Sequence, residues 1–375
     1  MNSNLENLLN QSPFDFYFLV VDELLDIDLP QLNNFQKIYL SDYPSVKIKN
    51  SGKLLSDPKV IDYISKKSKE NNRTPAIISF KASSKIDFLC KKNSWVNINN
   101  PGSLNRFLED KIKFSEICTQ FNLPAIPSSI DSFTQENFLK YQQLYNNHLV
   151  VQTHFGWAGN STFDSNNWPN IESKIAPNTL VKFSPFLEGF SLLNNCCLTK
   201  SGLIQSPPAL QYTGLIELTD NPFATVGRQW PANISEDLQE KVKSITNNFG
   251  DILKRLNYKG FFGLDFFVSQ DQVYLLECNP RLTASFAFYT QIELNQNLTP
   301  LFYFHLAEFL NLDYQIDIES EQNRFYNQNL IGSEIVKKDE NNLTIKKFND
   351  FSVFSKDTNP VKIDYEKIAP TFFSL

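Results

Sequence analysis

The sequence lacks several features that would assign it to a common class of protein. Its 375 residues contain no apolar run near the ~20 residues that a membrane-spanning helix needs. The N-terminus has neither the basic start nor the continuous apolar stretch of a signal peptide. No GxGxxG follows the first apolar run, and GxSxG is absent. We therefore expect a cytoplasmic protein with no dinucleotide site in its first domain and no serine nucleophile.

Neither the cysteines nor any sequence repeat points to a particular class of protein. The five cysteines form no CxxC pair and are odd in number. We interpret them as small buried hydrophobic side chains in a reducing compartment. No sequence period of roughly 20–50 residues recurs, so a solenoid is not expected.

Charge also excludes one class of partner. The formal net charge is −6, and lysine and arginine are dispersed along the chain. This pattern argues against nucleic acid as the main partner. With 41% hydrophobic residues, of which aromatics are numerous, the chain is long enough for two or three packed subdomains.

The first hundred residues alternate between strand and helix signals. A stretch that opens with Asp57-Pro58 and runs to about Lys69 predicts a helix, because Asp is a good N-cap and proline suits the first turn. Strands interleaved with helices predict a small parallel sheet. The apolar runs that predict strands are Phe14–Val21, Phe35–Leu40, Ala76–Phe80 and Trp95–Ile98.

Later segments alternate between helical periodicity and turn-rich composition. Apolar spacing predicts one amphipathic helix over Ser103–Asn122, and Gly214–Pro231 has the composition of a loop. The other predicted helices are Ser235–Leu256, Leu282–Tyr289 and Leu298–Leu310, and short β-like runs follow at Gln328–Ile335 and Leu343–Phe348.

The most informative stretch is a pair of apolar runs, 260–268 and 274–281, joined by turn-forming residues. Asp265 and Glu277 interrupt these runs, and burying a carboxylate without a partner costs several kcal/mol. Strand alternation places Glu277, Asn279 and, if the strand extends, Arg281 on one face, and a hairpin brings Asp265 alongside. Such a set forms a hard-cation site with an anion clamp beside it. The alternative is a buried ion-pair cluster that only positions two strands.

This arrangement resembles the metal and phosphate site of the ATP-grasp ligases, in which an acidic residue, Glu-x-Asn and Arg follow in this order. The resemblance implies that Asp265, Glu277 and Asn279 hold Mg²⁺, or Mn²⁺ in its place, against the phosphates of ATP. It implies that Arg281 stabilises the transferred phosphoryl group or an acyl phosphate.

A glycine-spaced loop follows the apolar run in 148–162. Gly156 and Gly159 allow close backbone approach, so that N–H groups near Ser161 face phosphate oxygens. Many ATP-grasp members have lysine where Gln152 stands. The resemblance therefore implies that Gln152 contacts the nucleotide as a neutral amide. Either nucleotide affinity is lower, or the charge comes from elsewhere.

The run over 180–189 resembles the strand whose backbone edge recognises adenine in that family. The resemblance implies that Phe186 and Leu187 supply apolar contacts. Serines stand where the family often has acidic residues, and Glu188 is the candidate substitute. An ordinary sheet strand is the alternative. The serines are Ser184 and Ser191.

Two basic residues are further candidates. The resemblance implies that Lys111 reaches the ATP phosphates, whereas by default it is a solvated residue on a helix face. Arg228 lies next to Gln229-Trp230 in the predicted loop and can stack and face an anionic substrate. It can equally cap a helix or form a surface ion pair.

Together these features predict an α/β and α+β protein with the ATP-grasp fold. We expect an N-terminal Rossmann-like domain at 1–102, two halves that clasp ATP at 103–312, and a C-terminal accessory segment at 313–375. The expected reaction is ATP-dependent ligation of a small carboxylate to an amine through an acyl phosphate, with no nucleic-acid or membrane partner and a homodimer as candidate assembly. Alternatives are a bicarbonate-activating enzyme like biotin carboxylase and a non-catalytic nucleotide sensor.

Overall fold

The structure, a computed structural model, contains no helix in its described part that is long and apolar enough to cross a membrane. The described residues are 3–22, 25–156, 159–165, 168–216, 218–338, 343–349 and 352–354.

The N-terminal part is a four-stranded parallel sheet with strand order β2-β1-β3-β4, as the sequence predicts. Its third helix begins after Asp57, whose carboxylate accepts a hydrogen bond from the Lys59 backbone at 2.9 Å. The strands are β1 (Phe14–Val20), β2 (Phe35–Tyr39), β3 (Thr74–Ser79) and β4 (Val96–Asn97). The helices are α1 (Ser3–Gln11), α2 (Ser51–Leu55), α3 (Pro58–Asn71) and α4 (Ser84–Asn93).

The prediction of a single helix over Ser103–Asn122 was wrong, because the segment forms two helices. They are α5 (Gly102–Glu109) and α6 (Lys111–Gln120), and Asp110 between them is extended. The Asp110 carboxylate accepts hydrogen bonds from the first free N–H groups of α6, at 2.9 and 3.2 Å. An aspartate that caps a helix in this way stops the preceding helix although the apolar spacing continues.

A small antiparallel sheet follows, with strand order β5-β8-β6-β7. Apolar side chains from this sheet and its two helices form a core of their own, including Tyr141 stacked on Phe183 with ring centroids 4.6 Å apart. The strands are β5 (Ser129–Ser132), β6 (Leu149–Gln152), β7 (Thr162–Asp164) and β8 (Leu180–Pro185), and the helices are α7 (Gln135–Leu144) and α8 (Trp168–Lys174).

The large sheet has nine strands among the described residues, in the order β14-β13-β9-β11-β12-β15-β16-β17, with β10 paired to β9. Its strands are β9 (Phe190–Thr199), β10 (Gly202–Gln205), β11 (Ala209–Thr213), β12 (Thr225–Trp230), β13 (Gly260–Ser269), β14 (Gln272–Asn279), β15 (Gly332–Lys338), β16 (Leu343–Asn349) and β17 (Ser352–Phe354). The remaining helices are α9 (Glu236–Arg255), α10 (Phe286–Asn295), α11 (Leu301–Leu310) and α12 (Ile318–Gln322).

Helices cover both faces of the large sheet. Helix α9 and the α6 helix pack on one side, and α10 and α11 pack on the other and contact the N-terminal sheet. Phe18 of β1 meets Phe286 of α10 edge to face at 5.7 Å. The parallel sheet, the small sheet and the large sheet confirm the predicted α/β and α+β fold class.

Two further predictions about elements were wrong. Thr225–Trp230 is strand β12 and not part of a loop, because it pairs with β11 on one side and β15 on the other. The helix predicted from Leu282 begins only at Phe286.

Candidate active site

Two carboxylates face each other across the β13–β14 hairpin. Asp265 lies opposite Glu277, and a bulge follows Asp265. The Asp265 carboxylate accepts hydrogen bonds from the Asn279 amide at 3.1 Å and from the Gln211 amide at 3.0 Å. Burial, together with the negative charge of Glu277, raises the pKa of Asp265 to about 7. The hairpin therefore holds two carboxylates closer together than two negative charges favour.

Glu277 keeps the negative charge of the pair. Burial by itself raises its pKa, but the ammonium group of Lys111, which is ion-paired with it, holds the pKa below its usual value. The Glu277 side chain remains 33% exposed, so it stays accessible from solvent although it is ion-paired. Near neutral pH the pair thus carries between one and two negative charges, depending on Asp265.

Arg281 is held beside this pair by a turn and not by an extended strand. Strand β14 ends at Asn279, so the condition under which alternation places Arg281 is not met; Pro280 has no N–H to continue the ladder. The Arg281 Nε donates to Glu109 Oε1 at 2.6 Å and its Nη2 to Asn279 Oδ1 at 3.0 Å. Its guanidinium lies 4.6 Å from the centre of the Phe80 ring. The guanidinium is thereby oriented on three sides.

Sequence reasoning gave Glu109 no role, yet it joins two parts of the chain. Its carboxylate pairs with Arg281 and also with Lys81, 2.5 Å away, and its side chain is only 10% exposed. No local pattern reveals this residue, because its partner Arg281 is 172 positions away in sequence. The one sequence signal for a role of Glu109 is its position two residues before Lys111, which is a candidate site residue.

The donor set of the hairpin suits a hard divalent cation. The described residues contain no group of three or more histidine, cysteine, aspartate or glutamate side chains that could hold a metal alone. Here two carboxylates lie side by side, and the Asn279 amide lies against Asp265 with its nitrogen toward that carboxylate and its oxygen toward Arg281. Mg²⁺ is typically bound by one or two carboxylates together with phosphates. Burial, and then the charge of Glu277, raises the pKa of Asp265, and a bound cation would offset both effects by favouring the ionised carboxylate. The residues present therefore fit Mg²⁺ in company with a polyphosphate.

The small sheet presents a second polar surface. Gln152 on β6 lies directly opposite Lys182 on β8, and its amide donates to Thr162 Oγ1 on β7 at 3.1 Å. Lys182 is 7% exposed and has no hydrogen-bond or ion-pair partner within the part of the chain that the structure describes. Burial, and then the charge of Lys111, lowers the pKa of Lys182 to about 8. Sequence reasoning missed Lys182, although it lies in the run predicted as a strand.

The glycine-spaced loop is shaped by two close approaches. A Cβ on Gly156 would lie 1.9 Å from Ser161 Oγ, so any larger residue would displace the buried Ser161. Gly159 has φ +79°, and a Cβ there would lie 2.6 Å from the backbone of Phe223. Residues 157 and 158 lie outside the described residues. The loop therefore needs glycine at both positions to keep its present path.

Lys111 is fixed at the start of α6 near this loop. Its backbone N–H donates to His154 O at 2.9 Å, and the His154 ring lies 2.9 Å from the Asp110 carboxylate. Lys111 is buried and is not the solvated helix-face residue of the default interpretation. His154 pairs with a carboxylate that already caps a helix, which agrees with a structural role.

The candidate adenine-binding residues lie just beyond β8, which ends at Pro185. The Phe186 backbone donates to His148 O at 3.0 Å, and the two rings stack with centroids 4.0 Å apart. Phe186 and Leu187 are half-buried, whereas Glu188 is exposed. The geometry places an apolar surface at this point, and the role of the three residues stays a prediction.

Arg228 is neither a loop residue nor a surface cation. Its Nη1 donates to Glu334 Oε1 on β15 at 2.5 Å, and the two side chains are 12% and 3% exposed. It lies opposite Gln211, whose amide reaches Asp265. The positive charge of Arg228 opposes the rise in the pKa of Asp265. Arg228 is thus linked to the carboxylate pair through Gln211, and the structure gives no stacking on Trp230 among the described ring contacts.

Comparison with known proteins identifies the fold. Residues 108–285 match the family model of the ATP-grasp domain. N5-carboxyaminoimidazole ribonucleotide synthetase in its ADP complex superposes with a TM-score of 0.59 at 14% identity, over 86% of this chain and 81% of that one. Phosphoribosylamine–glycine ligase from Thermotoga maritima gives 0.57 at 13% identity, over 86% and 80%. Biotin carboxylase from Campylobacter jejuni gives 0.58 at 13%, over 86% and 75%. No curated protein matches the sequence significantly.

Proposed function

Because residues 108–285 form an ATP-grasp domain, we propose that the protein is an ATP-dependent ligase. It transfers the γ-phosphoryl group of ATP to a small-molecule carboxylate and then joins the resulting acyl group to an amine. The division into a substrate-binding domain at 1–102, a nucleotide-clasping unit at 103–312 and an accessory segment at 313–375 is part of this proposal.

One observation carries the proposal: the Asp265–Glu277 pair and the buried cations Lys111 and Lys182 belong to one electrostatic cluster. Lys111 pairs with Glu277, and the charges of both act on Lys182. A polyphosphate needs cations on one side and, for its bound Mg²⁺, carboxylates on the other. The large sheet supplies the carboxylates and the small sheet supplies Lys182. An ion-pair cluster that only joins two strands does not require a further buried lysine.

Within this arrangement each residue has a definite task. When bound, Mg²⁺ neutralises phosphate charge during phosphoryl transfer; Asp265, Glu277 and Asn279 would hold it, with Mn²⁺ as a substitute. Arg281, oriented by Glu109, stabilises negative charge on the acceptor carboxylate and on the phosphoryl group as it moves. No protein nucleophile is needed, because the substrate carboxylate makes the first bond to phosphorus.

The two chemical steps balance without any further reactant. A carboxylate oxygen attacks the γ-phosphorus, the bond to the β-phosphate oxygen breaks, and ADP leaves. The amine nitrogen then attacks the acyl carbon, inorganic phosphate leaves, and the nitrogen proton passes to solvent. Structures with this fold support the use of such ligands. A carboxylase domain of Hydrogenobacter thermophilus was solved with MgADP and bicarbonate.

Bicarbonate is the second candidate acid. The TM-scores of 0.58 for biotin carboxylase and 0.57 for phosphoribosylamine–glycine ligase are nearly equal, so the fold likeness favours neither acid. The sequence favours an organic carboxylate, because Gln152 departs from the pattern of biotin carboxylase.

The experiment is a substrate screen for ADP and phosphate release. Purified protein with MgATP is incubated with pairs of small carboxylates and amines, including amino acids, and separately with bicarbonate and the amines. We expect release that requires Mg²⁺ and one particular pair, with a stoichiometric amide product seen by mass spectrometry. Release with bicarbonate alone among the acids would assign the protein to the second candidate. Nucleotide binding without release on any pair would instead identify a non-catalytic ATP-binding module.

A further inference from the structure

Lys182 is a buried lysine that has no hydrogen-bond or ion-pair partner in the described part of the chain. Among the described residues two lysines are buried, Lys111 at 8% exposure and Lys182 at 7%. Lys111 is ion-paired with Glu277. Lys182 makes neither a hydrogen bond nor an ion pair in the described structure. The Lys182 Nζ is not one of the fully buried atoms that lack a hydrogen-bond partner, so the side chain is buried while its ammonium group stays open to a ligand. Removing most of a lysine from water without an ion-pair partner still disfavours its charged form.

The position of Lys182 places it opposite Gln152 and within reach of the charges of Lys111 and Glu277. It lies opposite Gln152 in the β6–β8 pair, and residues that are opposite in an antiparallel pair project on the same face, about 5 Å apart. The amide of Gln152 is turned toward Thr162 on the neighbouring strand. Lys182 is therefore the cation on the face where Gln152 supplies only a neutral group.

The charges around Lys182 leave a place for an anion. The Lys111 ammonium is close enough to lower the pKa of Lys182, and Glu277, the nearby carboxylate, is already paired with Lys111. Glu277 is ion-paired with Lys111 and not with Lys182, so the Lys182 ammonium has no counterion in contact with it in the described structure. A bound anion between the two lysines would satisfy Lys182 and remove the repulsion.

We propose that Lys182 binds the polyphosphate of the nucleotide and supplies, from β8, the positive charge that Gln152 on β6 does not provide. The inference rests on the proposed function, because it takes a nucleoside di- or triphosphate as the ligand of this cleft. It also gives a reason for the neutral residue at position 152: a second lysine directly opposite Lys182 would place two like charges on neighbouring strands, with Cβ atoms about 5 Å apart.

The test compares three variants by calorimetry with MgADP as the probe. Lys182→Met keeps the length of the side chain but removes the charge. Lys174→Met is the matched control, because Lys174 lies at the end of α8 in the same small unit and is exposed. Gln152→Lys/Lys182→Met moves the lysine across the strand pair. We expect Lys182→Met to weaken MgADP binding about ten- to a hundredfold, Lys174→Met to change it less than about twofold, and the transposed variant to recover most of the loss.

Stability separates a ligand-binding role from a structural one. Replacing an unpartnered buried charge by an apolar side chain of similar volume is expected to leave the midpoint of thermal unfolding unchanged or raise it, so Lys182→Met should fold while binding less well. Wild-type affinity in Lys182→Met would overturn the inference and leave the proposed function standing. A lowered midpoint without weaker binding would make Lys182 structural. A wild-type protein that binds no MgADP would refute the proposed function, and this inference with it.

Discussion

Arg281 and Glu109 are 172 residues apart in sequence, and the Nε of Arg281 donates to Oε1 of Glu109 at 2.6 Å. The same guanidinium donates through Nη2 to Asn279. One arginine thus joins the end of α5 to the carboxylate-bearing hairpin. The guanidinium that the sequence predicts next to the candidate metal ligands is oriented by an acidic residue from a different element, helix α5.

Glu109→Gln should lower kcat roughly ten- to a hundredfold while ATP affinity changes little, because a neutral amide accepts a weaker hydrogen bond than a carboxylate and Arg281 is then less firmly oriented. Steady-state kinetics measures the change in kcat, and calorimetry measures the change in ATP affinity. Lys81→Gln is the control: Lys81 pairs with the same carboxylate but is 57% exposed, and its ion pair should matter little. Equal effects of the two substitutions would show that Glu109 does not act through Arg281.

Arg281→Lys keeps the charge but not the planar, two-pronged donor geometry, so one side chain can no longer bond both Glu109 and Asn279. We expect ATP affinity within a few-fold of wild type and a fall in kcat of at least roughly a hundredfold, the effect of losing one transition-state donor. Parallel loss of binding and turnover, or loss of neither, would contradict the assignment and leave Arg281 as a structural ion pair.

Glu277→Gln removes one charge from the candidate cation site and also the partner of Lys111. Magnesium-dependent ATP turnover should fall by orders of magnitude, with the far-ultraviolet circular dichroism spectrum unchanged. Glu116→Gln serves as the control, since Glu116 lies on the exposed face of α6 and pairs with Lys113. Near-normal turnover in Glu277→Gln would remove this residue from the metal-binding role.

The pKa of Asp265 predicts two dependences on pH. The folded-state pKa is raised to about 7 from 3.8, so the protonated carboxyl contributes stability that is fully present below about pH 4 and is lost as the pH rises through about 7. Without Mg²⁺, wild type should therefore lose stability relative to Asp265→Asn between about pH 4 and pH 7 in urea unfolding, and little more above that. Mg²⁺ competes with the proton, so the affinity for Mg²⁺ with ADP should increase over the same interval. A stability difference that is flat across this range would contradict the assigned titration.

The hairpin is the part of the site that the sequence predicts well. Alternation in 260–268 and 274–281 places Asp265 and Glu277 opposite each other, and the turn between them has positive φ at Gln270 and Asp271, as a two-residue hairpin requires. All of this information is local. The metal-binding role of these residues remains a prediction, because the geometry is compatible with it and does not test it.

Contacts between distant segments escaped prediction. Lys182 meets Gln152 only because β8 pairs with β6, and Arg228 meets Glu334 only because a strand 106 residues later joins the sheet. At Asp110 the apolar periodicity predicts a continuous helix, whereas the aspartate can cap a new one. In the structure Asp110 caps α6 and the helix is interrupted there. Sequence patterns report the periodicity of one element at a time, whereas these contacts depend on which strands become neighbours.

The pairing of β15 with β12 has a practical consequence for anyone who trims the chain. The segment that matches the ATP-grasp domain ends at 285, but Glu334, the carboxylate that neutralises the buried Arg228, lies on β15. A fragment that stops at 285 would expose the edge of β12 to other chains and leave Arg228 charged with no counterion. Such a fragment should aggregate when expressed alone, so the smallest workable unit has to reach at least residue 338.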